Sequence, residues 1–370
     1  MSEKILVINP GSTSTKVGLF DGESEVFAEN VSHDASKLAE FSDLAAQLPY
    51  RRDTILEMLA RHGVALGEVD AFVGRGGGLL PLEGGTYRID ATLLDHARRG
   101  ANGVTHPANL GSQLAWEFAC VAGGDTPKDA FVVNPPDTDE LCDEARVTGI
   151  AGVYRHVHLH ALNLKETAIR HAASLGCDYE DCNFVVAHIG GGISVSAHRK
   201  GRMIDGNDIV GGEGPMTPTR CGSIPVVEVL DLIEAGAATA DIRKLCMKIG
   251  GLVDLAGTAD SREVERRALE GDKTAAMAWN ALCYQICKWI GAMACVLDGE
   301  VDGVLLGGGM AHSASLVEAI EKRCGWIAPV TAYPGEFELE AMAAGARRVL
   351  SGGEQAKTYQ GVPVWEGFDL

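Results

Sequence analysis

The feature that most constrains this chain is a strand pattern that occurs twice. Residues 5–9 (ILVIN) form an apolar run of strand length, residues 10–15 turn the chain, and residues 16–20 return as a second strand. Asp21-Gly22 is a hairpin turn signal, and residues 24–28 read as a third strand. Near the middle the plan repeats. Residues 184–188 are strand-like, Gly190-Gly191-Gly192 turns the chain, residues 193–197 return, Lys200-Gly201 turns again, and residues 202–205 are strand-like. Two glycine-turned meanders about 180 residues apart predict a duplicated domain rather than a short-period repeat. The 46 glycines in 370 residues, well above the roughly 7% of an average protein and without a collagen period, predict that much of the glycine lies in tight loops.

After each meander come helices and single strands. Helical periodicity covers residues 52–62 and 107–121, a strand over 69–73 ends at Gly74-Arg75-Gly76-Gly77-Gly78, and a strand over 130–133 ends at Asn134-Pro135-Pro136. In the second half, 226–235 and 260–269 read as helices, and a long helix runs from about Asp272 to near Gly299. A strand over 301–306 then stops at Gly307-Gly308-Gly309. Strands ending on glycine-rich loops are where open α/β sheets place ligands. The expected domains are 1–152 and 153–337, with a C-terminal helix in 338–370 packing back on the first.

The net charge of −19 argues against sequence-independent binding to nucleic acid or to an anionic membrane. The ten cysteines contain no CxxC pair, and Cys283 and Cys287 share an apolar helix stripe, which predicts reduced thiols. Residues 1–4 lead into a strand without an apolar signal core, and the apolar stretch 281–297, broken by Gln285 and Lys288, is short for a bilayer. A cytoplasmic protein is expected.

Neither a GxxxxGK[ST] loop nor a GxGxxG fingerprint is present. The turn from Asn9 to Lys16 instead offers backbone N–H groups around Gly11, the hydroxyls of Ser12, Thr13, Ser14 and Thr15, and the Lys16 ammonium, the donors a phosphate needs. Alone it reads equally as a polar hairpin turn. The second loop, Gly190 to Ser194, shifts the balance, because two such loops can hold a phosphate chain. Arg75 and Arg220 sit in glycine-flanked loops, where a guanidinium suits bidentate binding of carboxylate or phosphate, or simply faces solvent. His156, His158 and His160 alternate at strand spacing without a cysteine or fourth ligand nearby, which favours one histidine near a site over a metal centre.

The segment Val7-Ile8-Asn9-Pro10-Gly11-Ser12-Thr13-Ser14-Thr15-Lys16 resembles the opening signature of the acetokinase family in its butyrate kinase form. Gly74-Arg75-Gly76-Gly77, Gly84-Gly85-Thr86-Tyr87, His160-Ala161-Leu162-Asn163, 187–194 (AHIGGGIS) and Gly212-Glu213-Gly214-Pro215 resemble butyrate kinase segments in the expected order, as do 257–262 (GTADSR) and Tyr333-Pro334-Gly335-Glu336. The resemblance runs from residue 4 to about residue 360.

It implies an α/β protein with the duplicated actin-like ATPase (ribonuclease H-like) fold, two domains around a central cleft. The implied reaction is ATP + butanoate giving ADP and butanoyl phosphate, with magnesium and without a covalent enzyme intermediate. The implied partners are ATP or ADP, Mg2+, a short-chain carboxylate and its acyl phosphate, and further copies of the chain in a homo-oligomer. By resemblance, Asn9, Ser12, Ser14 and Lys16 face the transferred phosphate. Arg75 and Arg220 hold the carboxylate and the phosphoryl group, and His160 bonds its equatorial oxygens. His188 with Gly190, Gly191 and Gly192 forms the nucleotide phosphate loop. Asp260 and Arg262 lie beside ribose and adenine, and Gly307, Gly308 and Gly309, with Met310, form the adenine turn. Glu338 matches the magnesium-associated glutamate, with Glu336 and Glu340 as alternative registers. Asn134 stands where the family generally places a magnesium-associated aspartate, with Asp137 and Asp139 nearby. A sugar kinase would need an aspartate base, and an actin-like ATP-binding regulator would not need Arg75. Propionate, isobutyrate and acetate stay open as substrates, since one methylene is worth only about 1–3 kcal/mol of discrimination.

Overall fold

The computed structural model describes residues 3–368. Met1 and Ser2, part of the start read above as lacking a signal core, and Asp369 and Leu370, the end of the expected C-terminal helical segment, lie outside the described residues. The chain divides into two units, residues 1–139 with 337–370, and residues 140–336.

In the first unit, β1 (Lys4–Pro10), β2 (Ser14–Asp21) and β3 (Ser24–Ser32) form an antiparallel meander, and β4 (Ala71–Gly74), β5 (Thr86–Arg88) and β6 (Asp129–Val133) complete a six-stranded sheet of order β3-β2-β1-β4-β6-β5. The strands β1, β4 and β6 run parallel, and β5 pairs antiparallel with β6. The third strand runs four residues beyond the expected Ala28, its pairing with β2 shifting at a bulge between Leu19 and Phe20. Helix α1 (Leu48–Arg61) starts earlier than its apolar period suggests, because Pro49 sits in the first turn, where its missing N–H costs nothing. Helix α2 (Asn109–Gly123) packs on β4 and buries nine residues.

In the second unit, β7 (Asn183–Ile189), β8 (Ile193–Arg199) and β9 (Arg202–Gly206) repeat the meander, and β10 (Gly303–Gly308) and β11 (Val330–Pro334) extend it in the order β11-β10-β7-β8-β9. Position by position the two sheets correspond, with β10 in the place of β4 and β11 in the place of β6. Only β5 lacks a counterpart. All seven residues of β7 are buried, as expected for a parallel-paired strand covered on both faces. On one face lies α3 (Ala161–Leu175), on the other α7 (Lys273–Val296). Between them in sequence come α4 (Val226–Glu234), α5 (Thr239–Lys244) and α6 (Ser261–Leu269). Asp272 caps α7 by accepting from the N–H groups of Thr274 and Ala275. All ten cysteines are free thiols, and among the described residues no helix is long and apolar enough to cross a membrane.

Helix α8 (Glu338–Leu350) packs on β1, β2, β4 and β6 of the first unit. The last helix, read from the sequence within 338–370, ends at Leu350. Gly352, at φ +78°, and Gly353 follow, and glycine in the left-handed region is the usual helix stop.

One glycine fixes the end of β10. Gly308 has φ +89°, and a Cβ there would meet the backbone of Ile189 on β7. Gly308→Ala should therefore lower stability by about 2–3 kcal/mol, measured by denaturant unfolding of the folded variant.

Candidate functional site

In the first unit, the loop between β1 and β2 splits into a buried and an outward side. Ser12 and Thr13 are exposed and Ser14 half-buried, while Thr15 is fully buried. Thr15 Oγ1 lies 2.8 Å from His33 Nε2 and accepts from Arg51 Nη1 at 3.1 Å, so Thr15 belongs to the loop's foundation. Asn9 Nδ2 donates to Glu338 Oε2 at 2.8 Å, and Lys16 Nζ stands 3.7 Å from the same oxygen. Of the three candidate glutamates, Glu338 is thus joined to this loop.

Arg75 follows β4 and is half-buried, donating from Nη1 to the carbonyl of Asn134 at 3.3 Å. Desolvation lowers its pKa from the ordinary arginine value, and Glu338 and Asp137 oppose that shift. Asn134 has φ +38°, a region asparagine tolerates better than most residues. Its Oδ1 accepts from Gly85 N–H at 2.7 Å, so the amide oxygen serves the Gly84-Gly85 turn. Asp137 is buried and accepts from Leu79 N–H and Asn102 Nδ2. Among the described residues no cluster of three or more His, Cys, Asp or Glu side chains forms a metal cage. Such a donor set suits a cation that keeps its waters and relies on substrate phosphates, as magnesium commonly does, and Glu338 is the carboxylate that would approach it.

In the second unit, β7 delivers His188 to its carboxyl end and α3 begins just after His160. The two imidazoles stack with centroids 4.1 Å apart. His160 Nδ1 lies 2.8 Å from Ser194 Oγ on β8. Asn163, one turn into α3, bridges two partners: its Nδ2 donates to the Glu336 carbonyl at 2.8 Å, and its Oδ1 lies 2.8 Å from His188 Nδ1. A carbonyl can only accept, so the amide orientation is fixed and His188 Nδ1 must be the donor. This turns Nε2 toward Gly190, where a Cβ would approach it to 3.2 Å.

Arg220 sits on a tight turn in which Thr217 N–H donates to the Arg220 carbonyl at 3.0 Å and Arg220 N–H donates to Thr217 Oγ1 at 3.1 Å. Gly251, at φ +67°, lets the next segment pass directly beneath. The guanidinium lies against Gly192, with His160 at the same place, and a side chain on residue 192 would collide with both. Its Nε and Nη1 are buried without a hydrogen-bond partner. Desolvation lowers its pKa, and Asp208 opposes that. A cation with unmet donors against a glycine loop is built for an anion.

A cavity of about 840 Å³ opens on the same loop. Gly190 and Gly191 line it together with Asp260, Arg262, Gly309 and Glu336. Asp260 caps α6 and pairs bidentately with the exposed Arg262, both contacts 2.9 Å. Gly309 lines the cavity, whereas Gly307 and Gly308 are the packed end of β10. His158 faces Asp208 at 3.4 Å and His156 is exposed, so the three alternating histidines do not converge.

Two residues of these sites escape sequence reading. Asn163 lies within the HALN segment but shows its role only through contacts 25 and 173 residues away. Arg51 occupies the buried stripe of α1 with Ile55, Met58 and Leu59. A charge on an apolar helix face was the available signal.

The architecture is the duplicated actin-like ATPase type, an α/β fold with two mixed sheets on one plan. The chain is similar in structure to the acetate kinase of Porphyromonas gingivalis (TM-score 0.75, 21% identity, covering 94% of this chain and 100% of that one). It is also similar to the acetate kinase of Entamoeba histolytica (0.74, 15%, 93% and 98%) and to a propionate kinase of Francisella tularensis subsp. tularensis (0.70, 17%, 93% and 98%). Identities this low speak for the fold. In sequence, residues 151–325, most of the second unit, match the acetokinase family model.

The Asn163 bridge yields a direct expectation. In 15N spectra of the intact protein His188 should be the Nδ1–H tautomer, and Asn163→Leu should convert it to a tautomer mixture. An unchanged His188 signal in the folded variant would remove Asn163 from that role.

Proposed function

We propose that this protein is an ATP-dependent kinase of short-chain carboxylates that makes an acyl phosphate by direct in-line transfer, with butanoate as the preferred acid. The observation that carries the reading is Arg220, whose buried Nε and Nη1 lack partners beside His160 and the Gly190–Gly192 loop. A carboxylate is already a nucleophile at neutral pH, so the reaction asks for positioning and charge stabilisation rather than a strong base. An oxygen of the acid forms a bond to the γ-phosphorus as the bond to the β-phosphate bridging oxygen breaks, and the electron pair leaves with ADP.

In this reading Arg220 neutralises charge on the phosphoryl group and His160, held by Ser194, bonds its oxygens. Arg75 holds the carboxylate, while Asn9, Ser12, Ser14 and Lys16 receive the transferred phosphate. His188 and the Gly190, Gly191 and Gly192 loop carry the nucleotide phosphates at the mouth of the cavity, with Asp260, Arg262 and Gly309 along its wall. Magnesium, brought by the nucleotide and approached by Glu338, supplies further neutralisation when bound. Asn134, whose oxygen is committed to Gly85, orients the Arg75 loop. Support for butanoate over acetate or propionate rests on the resemblance of the motifs, not on pocket size.

The test is acyl phosphate trapping with hydroxylamine across acetate, propionate, butanoate and isobutyrate, together with ADP release. ADP release should depend on the acid and be fastest with butanoate. Release that ignores the acid would favour an ATP-binding regulator. Arg75→Ala and Arg220→Ala should each lower the rate by about two or more orders of magnitude, the usual cost of removing a preorganised charge. Wild-type turnover in either variant would take that arginine out of the reaction.

We also infer that a second copy of the chain covers α4. Six of its nine residues are apolar, yet none is buried; Val226 is 72% and Val227 65% exposed. Such a short helix is not stable in water without a covered face. Its charges are all acidic, Glu228, Asp231 and Glu234, whereas α5 and the turn after it carry Arg243, Lys244 and Lys248 against one Asp241. A two-fold contact sets each acidic helix against the other copy's basic segment. Leu230→Asp should convert the assembly to monomers in sedimentation velocity runs, and a wild-type protein already monomeric at micromolar concentration would refute the contact.

A further inference from the structure

Arg51 is completely buried, yet among the described residues none of its hydrogen-bond partners is a carboxylate. Its Nη1 donates to the Gly11 carbonyl at 2.9 Å, to Thr15 Oγ1 at 3.1 Å and to the Ser14 carbonyl at 3.4 Å. Its Nε and Nη2 donate to Gln47 Oε1 at 3.2 and 3.0 Å. Every partner is neutral. A buried ion is ordinarily paired with its opposite, so a full positive charge is retained directly behind the Asn9–Lys16 loop. The same contacts orient that loop. Arg51 takes the carbonyls of Gly11 and Ser14, the Ser14 carbonyl also accepts from Gly11 N–H at 2.7 Å, and the Thr13 carbonyl accepts from His33 N–H at 2.8 Å. With the carbonyls drawn inward, the hydroxyls of Ser12 and Thr13 stand on the exposed side.

The field of this charge is felt on both sides of the loop. His33, stacked edge-on against Tyr50 on the inner side, is held neutral with its pKa lowered to about 4 by burial and then by Arg51. His106, on the side of Arg75, is also lowered, first by desolvation and then by Arg75 and Arg51 together. The two guanidiniums therefore act on common ground.

We propose that Arg51 is a positioning residue that also electrifies the loop: its uncompensated buried guanidinium, anchored on Gly11, Ser14 and Thr15, makes the Asn9–Lys16 turn a site for a phosphoryl anion that Arg51 itself never touches. The inference rests on the reading of that loop as the phosphate-receiving one. A brace alone would need only the hydrogen bonds; a charge behind the loop adds Coulomb attraction that is weakly screened because it is buried.

The two roles separate in Gln47→Glu. The glutamate keeps an oxygen where Gln47 Oε1 now accepts from Arg51, so the brace remains, while its negative charge cancels the guanidinium. Inorganic phosphate is titrated into the full-length protein, followed by the backbone amide signals of Ser12, Thr13 and Ser14, with unfolding temperature as the control. Phosphate affinity at these amides should fall about tenfold in Gln47→Glu, the effect of one unit charge roughly 10 Å away at an effective dielectric near 20, while the unfolding temperature is unchanged or higher. Arg51→Lys should bind more tightly than Arg51→Gln, since lysine keeps the charge. Wild-type affinity in Gln47→Glu, or loop amides that do not respond to phosphate in the wild-type protein, would overturn the proposal. If the amides respond as expected but the wild-type protein phosphorylates no carboxylic acid, the kinase reading falls and the charged loop stands.

Discussion

A guanidinium drawn out of water with no carboxylate hydrogen-bonded to it is held against a considerable desolvation cost, and among the described residues each unit of this protein keeps one next to a glycine turn. In the first unit Arg51 spends its donors on loop carbonyls. In the second, Arg220 leaves two nitrogens unmet against Gly192. The surroundings serve to keep these cations where they are. A turn closed by Thr217 and undercut by Gly251 holds Arg220, and the stripe of α1 holds Arg51. Paired with local acids, both would be more comfortable and neither would attract an anion.

Around Arg220 the polar groups form a chain of fixed orientations. Glu336 fixes the Asn163 amide and Asn163 fixes the His188 tautomer, while Ser194 holds the His160 ring stacked on His188. Such preorganisation suits phosphoryl transfer, in which little covalent work falls to the protein. The first unit has a simpler arrangement, with Asn9 and Lys16 both directed to Glu338.

The meanders were legible in the sequence because hairpins are local: strand-length apolar runs separated by glycine turns need no distant partner to be recognised. The long α7 was legible through its apolar stripe and its cap at Asp272. Strand β5 was not, since three residues carry no period and exist as a strand through pairing with β6 and a bridge to Lys357. Strand β11 is half-exposed and takes its register from β10. At the sites, the glycine loops and their arginines announced themselves, whereas Asn163 and Arg51 act through contacts that only the tertiary fold creates. Gly307 and Gly308 show how packing and ligand signals overlap in sequence. A glycine run at a strand end reads as one ligand loop, yet two of its three members are needed for packing against Asn163 and Ile189, and Gly309 alone reaches the cavity.

Helix α8 gives the first unit a discontinuous chain. Its Leu339, Ala341 and Met342 are buried in that unit, and Gly345 lies so close to Val133 on β6 that a side chain there would collide. During synthesis the six-stranded sheet therefore emerges early but lacks one of its covering layers until residues 338–350 have left the ribosome. The second unit, a continuous 140–336, emerges in the interval, which at 5–20 residues per second lasts about 10–40 s. For that time the apolar face awaiting α8 is open to water, so the nascent first unit is the part of this chain that a chaperone would have most reason to hold.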